Sequence, residues 1–144
     1  QYGDRNFHLV LIVEGEDEAK IRELIEKSPN KPKIHMLGLQ PDVNNWMQAF
    51  DLFLLPSLFE GLPVVGIEAQ AAGLPCIFSD SITSEFKMGE HVQFISLNAP
   101  VETWTKWVYD YSKCQIRDDN TKCITDKGFN INVEGKKLQN IYLS

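Results

Sequence analysis

Two glutamates eight positions apart, Glu60 and Glu68, are the residues whose type and spacing most directly suggest chemistry. Between them a short turn ends at Pro63, which suits the first position of a helix. The backbone amides of Val64 and Val65 would then be unpaired at the positive end of the helix dipole, where they can bind a pyrophosphate. Two flanking carboxylates can accept hydrogen bonds from sugar hydroxyls. The pattern is therefore typical of a site for a bound nucleotide.

A plainer interpretation is that Glu68 only complements the helix dipole, which is worth about 0.3–1 kcal/mol. The surroundings favour a ligand instead. Ile67, Ala69 and the residues that follow are small or apolar, and a carboxylate in such surroundings needs a partner. Glu68 also lies five residues after Pro63, roughly 7.5 Å along the helix axis. Its side chain should lean back toward the amino end, within reach of a ribose.

Apolar, β-branched runs alternate with amphipathic segments along the chain. The runs predict strands at residues 7–13, 33–37, 51–55, 75–79 and 92–95. Helical periodicity and end signals predict helices at residues 16–27, 42–50, 63–72, 101–111, about 114–127 and 131–142. The last helix is amphipathic, so we expect it to pack across the domain.

This alternation predicts an α/β fold with a doubly wound, parallel, Rossmann-like sheet and right-handed crossovers. Ligands of such sheets bind outside the carboxyl ends of the strands. Gly15, Gly38, the loop Ser57–Gly61 and the pair Ser79-Asp80 all follow predicted strands. The sequence therefore predicts a site at this edge, in a single domain that covers residues 1–144.

Composition and charge narrow the class of protein. A formal net charge of −6 argues against a general nucleic-acid surface, so a bound diphosphate must rely on backbone dipoles or on basic residues elsewhere. No apolar run approaches the ~18 residues needed to cross a bilayer, and no signal peptide is visible. The cysteines have no metal-site spacing and are expected to be reduced thiols of a cytosolic protein: Cys76, Cys114 and Cys123.

Other candidate residues favour structural roles. The histidines have no cysteine or carboxylate cluster at ligand spacing, so we expect no metal site at His8, His35 or His91. Ser57 lacks the flanking glycines of a nucleophile elbow and is expected to be a turn-forming serine. Trp104 and Trp107 lie at helical spacing with Val108, which favours core or interdomain packing over sugar stacking. Gly66, inside a predicted helix, is expected to allow close contact with the sheet or with phosphates.

The stretch from Asp51 to Ile77, DLFLLPSLFEGLPVVGIEAQAAGLPCI, resembles the E-x7-E region of the retaining, family-4 nucleotide-sugar glycosyltransferases. Two further segments, Val13–Glu16 and Met36–Gly38, are similar to strand-end turns of that family. The resemblance covers residues 7–111 and implies the C-terminal, donor-binding half of a GT-B architecture. The family's close relatives include bacterial enzymes that build capsular and other exopolysaccharides.

The resemblance also implies a role for each matching position. Glu68 would accept hydrogen bonds from the ribose hydroxyls. Glu60, the expected catalytic residue, would contact hydroxyls of the donor sugar together with the backbone of Gly61, Leu62 and Pro63. The amides of Val64 and Val65 would bind the diphosphate. The strand-end turn at Gly15 and the backbone near Gly38 and Leu39 would complete the nucleotide site. Neither a cofactor nor a tightly bound metal is expected, because basic side chains and the helix end neutralise the leaving diphosphate.

The sequence departs from the family pattern at its start. The family's donor domain opens with a strand and helix that carry an Arg and a Lys for the diphosphate, and that strand is central in the sheet. Nothing before Phe7 matches them, and Arg5 lies too close to the next strand. A truncated domain is therefore expected, as the missing initial methionine also indicates. The parent protein would be an enzyme, whereas this piece alone would not turn over.

The expected function is retaining transfer of a sugar from a nucleoside-diphosphate donor to an acceptor hydroxyl, in capsular or other cell-surface polysaccharide biosynthesis. The expected partners are the donor, an N-terminal acceptor-binding domain of the parent protein and a glycan or lipid-linked acceptor, but no nucleic acid. The expected location is the cytoplasm, with peripheral association at the inner face of the cell membrane. Two alternatives stay open: a nucleotide-sugar epimerase of the same fold, and a non-catalytic nucleotide-sugar-binding module.

Overall fold

The computed structural model describes residues 6–114 and 117–143, as alternating parallel strands and helices. The strands are β1 (Leu9–Leu11), β2 (Ile34–Met36), β3 (Phe53–Leu55), β4 (Cys76–Ser79) and β5 (Val92–Ile95). The α-helices are α1 (Glu18–Lys27), α2 (Val43–Ala49), α3 (Val64–Ala71), α4 (Val101–Tyr111), α5 (Thr121–Asp126) and α6 (Ile131–Leu143). Short 3₁₀ turns lie at Lys31–Lys33 and Ser84–Phe86. The predicted α/β fold with parallel strands is confirmed.

The chain divides into two compact units, with the boundary between Val43 and Asn44. In the first unit β1 pairs with β2 in parallel, with Leu9 opposite Ile34. In the second unit the strand order is β3-β4-β5, again parallel, with Phe53 opposite Cys76. The strands therefore form two sheets where one was predicted. Alternation in a sequence indicates parallel strands, but it does not specify which strands become neighbours.

The core of the second unit is built around β4, whose four residues are all buried. On one side Phe78 contacts Phe86 edge-on, with ring centroids 4.9 Å apart, and Phe94 at 5.5 Å. Ile77 belongs to a separate cluster with Ile95 and Tyr111. Two tryptophans of α4 pack on that cluster, Trp104 and Trp107. This confirms the packing role predicted for them.

Helix α3 packs closely on this core because Gly66 has no side chain. A Cβ atom at Gly66 would lie 3.0 Å from Cε1 of Phe78 and 3.1 Å from Cε2 of Phe86. Both distances are shorter than ordinary carbon contacts, so the two aromatic rings occupy the space that any other residue would need. Of the two roles predicted for Gly66, close contact with the sheet side of the helix is confirmed.

The carboxyl end of α3 is tied to the rest of the unit by polar contacts. The buried Gln70 donates from Nε2 to the carbonyls of Gly66 (3.0 Å) and Phe86 (3.2 Å), and its Oε1 accepts from the amide of Met88 (2.7 Å). Its backbone carbonyl accepts from Nδ2 of Asn120 at 2.8 Å. These bonds satisfy a polar side chain that is fully buried within an apolar helix.

Arg117 forms a second tie, between two helices. Its guanidinium donates to the carbonyl of Ala72 at 2.7 Å, just beyond α3. It also donates to three carbonyls at and after the end of α2, those of Met47, Gln48 and Phe50, at 3.1, 2.8 and 2.8 Å. A guanidinium provides five donors in a fixed fork, so one side chain caps both helix ends.

Two predictions for the last third of the chain are corrected. The helix expected at about 114–127 is helical only in α5, while residues 117–120 are irregular and residues 115–116 lie outside the described part. Residues 117–120 do not extend the helix because their polar groups bind distant backbone, such as the carbonyl of Gly73. The final helix is confirmed as α6, but its predicted packing is wrong. None of its residues is buried, and Ile131 and Tyr142 are 79% and 82% exposed.

Within the described residues no helix combines the length and apolar character that crossing a bilayer would require.

Candidate functional site

The loop from Pro56 to Pro63 joins the carboxyl end of β3 to the amino end of α3. Pro63 was predicted at the first helical position but lies one residue before it, with φ −75° and ψ 94°. Its extended ψ places it at the cap, and its carbonyl accepts from the amides of Gly66 (2.9 Å) and Ile67 (3.2 Å). The helix therefore begins at Val64, and the carbonyl of Pro63 is its first hydrogen-bond acceptor.

The amides of Val64 and Val65 are the first two donors of α3. No described residue accepts a hydrogen bond from either of them, as expected for the first turn of a helix. Val64 is also 62% exposed, whereas Pro63 before it is buried. Unpaired donors together with the helix dipole make the end attractive to an anion.

Glu68 lies one turn further along α3 and is half-buried. No hydrogen bond or ion pair joins its carboxylate to another described residue. Its neighbours on the helix include Ala69, which is fully buried. Glu68 is thus a half-buried carboxylate with its acceptors unused, on the same helix as the unpaired amides and the fifth of its eight residues.

Glu60 is also half-buried but has a partner. The hydroxyl of Ser57 donates to Oε1 of Glu60 at 2.9 Å. The hydroxyl of Ser79, at the end of β4, donates in turn to the backbone carbonyl of Ser57. Sequence reasoning missed this contact by treating Ser57 as a turn-forming residue. The signal was a hydroxyl three residues before a carboxylate in a loop, a spacing that allows such a bond.

The tip of the loop is apolar and open to solvent. Leu58 and Phe59 are 84% and 82% exposed, and Leu62 is 50% exposed. Gly61 has no atom within 4 Å of the position that a Cβ would take. This open space lets another molecule approach the backbone of Gly61 closely.

The remaining predicted residues belong to the first unit. Gly15 and Gly38 follow β1 and β2, as predicted, and both have open space where a Cβ would lie. Gly38 has φ +69°, a left-handed conformation that favours glycine. Leu39 is 74% exposed. These residues belong to a different compact unit from Glu60 and Glu68.

The opposite edge of the β3-β4-β5 sheet has a polar pair that sequence reasoning did not predict. Nδ1 of His91 contacts Oδ1 of Asp118 at 2.7 Å, and the His91 amide donates to Oδ2 at 3.3 Å. Burial raises the pKa of the nearby Cys76 thiol far above its ordinary range, with the Asp118 charge adding to the effect. Burial also raises the pKa of Tyr111 to about 12. This edge thus carries polar groups bound to each other.

A cavity of about 530 Å³ opens at the same edge, lined by residues such as Glu90, Asp119 and Lys122. It contains none of the residues predicted for the nucleotide site. No group of three or more His, Cys, Asp or Glu side chains in the described ranges is placed to hold a metal ion. The candidate site in the second unit is therefore the loop from Pro56 to Pro63 with the amino end of α3, and not this cavity.

The known proteins that this chain resembles in sequence include several named as glycosyltransferases. The chain is 41% identical over 103 residues to EpsF of Bacillus subtilis (strain 168), which is named as a glycosyltransferase; the match covers 71% of this chain and 27% of that protein. It is 31% identical over 119 residues to the UDP-Gal:alpha-D-GlcNAc-diphosphoundecaprenol alpha-1,3-galactosyltransferase of Escherichia coli, covering 78% of this chain and 30% of that protein. The chain therefore spans less than a third of the length of these relatives.

A solved structure shows the same fold. The pneumococcal O-GlcNAc transferase GtfA, solved in complex with UDP and GlcNAc, has a TM-score of 0.57 over 75% of this chain and 22% of its own, at 22% identity. It is a glycosyltransferase of GT-B architecture, which agrees with the predicted fold class. The profile of the family described as "Glycosyl transferases group 1" matches residues 1–103, which include both sheets and the whole loop with its two glutamates. The chain belongs to this family.

Proposed function

We propose that this chain forms the donor-nucleotide part of a glycosyltransferase that moves a sugar from a nucleoside diphosphate to an acceptor hydroxyl with retention at the anomeric carbon. The observation that carries the proposal is the amino end of α3. There the amides of Val64 and Val65 and the carboxylate of Glu68 have no described protein partner, next to the half-buried Glu60. Family membership supports the transfer chemistry.

Each group has a role that follows from its position. The diphosphate binds the amides of Val64 and Val65, where the helix dipole stabilises its charge even though the chain carries a net charge of −6. Glu68, on the next turn, accepts from the ribose hydroxyls. Glu60 accepts from hydroxyls of the donor sugar at the other side of the diphosphate, beside the open space at Gly61.

Catalysis in this arrangement is electrostatic. The helix end stabilises the charge that develops on the leaving diphosphate as the glycosidic bond breaks, and a diphosphate oxygen takes the proton of the attacking hydroxyl. Attack occurs on the face that the diphosphate leaves, which retains the configuration. We propose that no tightly bound metal is required.

The acceptor and the location are inferred from the relatives. The E. coli relative is named for a diphosphoundecaprenol-linked acceptor, and other relatives are named for lipopolysaccharide core and amylovoran biosynthesis. We therefore propose a glycan or lipid-linked acceptor, held by an N-terminal domain of the parent protein. The proposed location is the cytoplasm at the inner face of the membrane, and the product is a cell-surface polysaccharide.

The proposal is tested by thermal unfolding of the full-length parent protein with UDP or GDP. A ligand at a hundred times its Kd stabilises the folded state by about 2.7 kcal/mol, which raises the melting temperature by several degrees. Glu68→Ala should abolish this shift. The matched control is Glu85→Ala, which removes an exposed carboxylate from a 3₁₀ turn of the same unit and should leave the shift intact. A full shift in the Glu68 variant would remove Glu68 from the site.

Product analysis separates the proposal from its alternatives. Epimerised donor formed without any acceptor would indicate the epimerase. Nucleotide binding without transfer in the full-length protein would indicate a non-catalytic module. Transfer that retains the anomeric configuration, observed by NMR of the product, supports the proposed function.

A further inference from the structure

A chain of two hydrogen bonds connects the centre of the β3-β4-β5 sheet to Glu60. Ser79, at the carboxyl end of β4, is completely buried, and its hydroxyl donates to the backbone carbonyl of Ser57. The hydroxyl of Ser57 donates to Oε1 of Glu60 at 2.9 Å. No function considered so far uses either serine.

The Ser79 end of these two hydrogen bonds is held rigidly by the sheet. β4 is the middle strand of its sheet, paired on both sides, and all of its residues are buried. The amide next to Ser79, that of Asp80, donates to the carbonyl of Ile95 at 3.0 Å. The bond from Ser79 therefore fixes the backbone of Ser57 relative to the core, although the loop tip two residues later is exposed to solvent.

The hydrogen bond from Ser57 determines which oxygen of the Glu60 carboxylate remains available to a ligand. A serine hydroxyl has a single proton, so it occupies one oxygen of the carboxylate and leaves the other available. A free glutamate loses side-chain freedom when it binds a ligand. Because the Ser57 bond already limits the rotamers of Glu60, this cost is met before a ligand arrives.

We infer that Ser57 is a positioning residue for the donor sugar: with Ser79 as its anchor, it fixes Glu60 so that the second carboxylate oxygen accepts from a hydroxyl of that sugar. The inference rests on the proposed function. It makes a distinction that the proposed function alone does not make. Loss of Ser57 affects the sugar portion of the donor, whereas the nucleoside diphosphate binds at α3 and is unaffected.

The first test compares nucleotides with and without a sugar on the full-length protein. Calorimetry gives the Kd of UDP, UDP-glucose, UDP-galactose, UDP-N-acetylglucosamine, GDP and GDP-mannose, and the ratio of Kd values within each pair isolates the sugar. Ser57→Ala should reduce the sugar's contribution roughly tenfold, because a hydrogen bond to a charged group is lost. The Kd of the nucleoside diphosphate should not change, which also verifies that the variant is folded.

A double-mutant cycle decides whether Ser57 acts through Glu60. Glu60→Ala, which removes the acceptor of the Ser57 bond, should reduce the sugar's contribution, and adding Ser57→Ala should cause no further loss. Ser57→Thr, which keeps the hydroxyl, should restore binding relative to Ser57→Ala. Ser84→Ala, an exposed serine of the same unit, is the control and should change nothing. Additive losses in the double variant, or equal losses for UDP and its sugar derivatives, would overturn the inference.

NMR relaxation tests the anchor without any ligand. Ser79→Ala should lower the backbone order parameters of residues 57–61 from about 0.85 toward about 0.6, since the loop loses its bond to the sheet. Unchanged order parameters would overturn the anchoring role of Ser79. The proposed function fails separately: if the wild-type protein binds no nucleotide in the panel, both proposals fall, whereas nucleotide binding with additive losses overturns only the inference about Ser57.

Discussion

The polar groups at the two ends of α3 differ in their hydrogen bonding. At the carboxyl end, the carbonyls of Gln70 and Ala72 accept from Asn120 and Arg117, and the Gln70 side chain makes three hydrogen bonds. At the amino end, the first two amides have no partner among the described residues, and neither has the carboxylate of Glu68, the fifth of the eight helix residues. One end is thus bound to the protein and the other is open. Anchoring one end allows a short helix to keep unsatisfied groups in place for a ligand.

The largest loss of stability among the variants of α3 is expected for Gln70→Leu. The change leaves the Met88 amide and the Phe86 carbonyl without their side-chain partner, at about 1–3 kcal/mol for each buried group. We expect the free energy of unfolding to fall by roughly 3 kcal/mol, measured by urea denaturation. Gln48→Leu, an exposed position on α2, is the control and should change stability by less than about 0.5 kcal/mol. A loss of similar size in both variants would contradict the anchoring role.

A smaller effect is expected in the middle of the helix, from Gly66→Ala. Alanine is intrinsically better than glycine in a helix by about 1 kcal/mol, but the new Cβ would overlap Phe78 and Phe86. Overpacking costs about 1–3 kcal/mol, so we expect a net loss of about 1 kcal/mol in the free energy of unfolding. Gly135→Ala on α6 meets no atom within 4 Å and should instead gain stability, up to about 1 kcal/mol. Thermal unfolding of the pair checks the opposite signs, and equal signs would refute the packing argument.

The segment that anchors the carboxyl end of α3 also predicts a pH effect. Hydrogen bonds from the side chain and the backbone amide of Thr121 lower the pKa of the Asp119 carboxyl below its ordinary value. A lowered pKa in the folded state stabilises the protein above the pKa of the unfolded chain, and this stabilisation is lost as the pH falls through the folded pKa. NMR titration of the carboxyl carbon should show the shift. It should shrink in Thr121→Ala and persist in Thr121→Ser, and a shift unchanged by the alanine would assign it to another cause.

The smallest change in stability is expected at the open end of α3. Because the Glu68 carboxylate bonds no described residue, Glu68→Gln should alter the free energy of unfolding without ligand by less than about 0.5 kcal/mol. Urea denaturation beside Gln70→Leu provides the comparison directly. A loss above about 1 kcal/mol for Glu68→Gln would show that the carboxylate supports the fold, and the contrast between the two helix ends would fail.

Local sequence patterns predicted most of the elements that position the candidate site. The apolar run before Pro56, the Gly/Pro turn and the small residues after Pro63 were sufficient to predict β3, the loop and α3. The predicted strand began two residues early, at Asp51 instead of Phe53. The cap was also misplaced, since a sequence does not reveal that Pro63 has an extended ψ. The roles predicted for Glu60 and Glu68 remain predictions.

Long-range polar contacts could not be predicted. Residues 117–120 have no strong breaker, so their pattern suggested a helix, but Arg117, Asp118 and Asn120 bind backbone groups far away in the sequence. Likewise, the contact from Ser79 to Ser57 joins residues 22 positions apart through a backbone carbonyl. Periodicity reports which side chains face a core, whereas it contains no information about such partners.

The Arg117 contacts have a consequence for the order of folding. The carbonyls that Arg117 binds lie between 45 and 70 residues earlier in the chain, so α2, β3 and α3 leave the ribosome well before the side chain that joins them. Contacts of such long sequence separation form late, because closing the loop costs entropy first. Replacing Arg117 should therefore accelerate unfolding while the rate of folding stays nearly constant. Arg117 is therefore expected to control the lifetime of the folded unit more than the rate at which the unit folds.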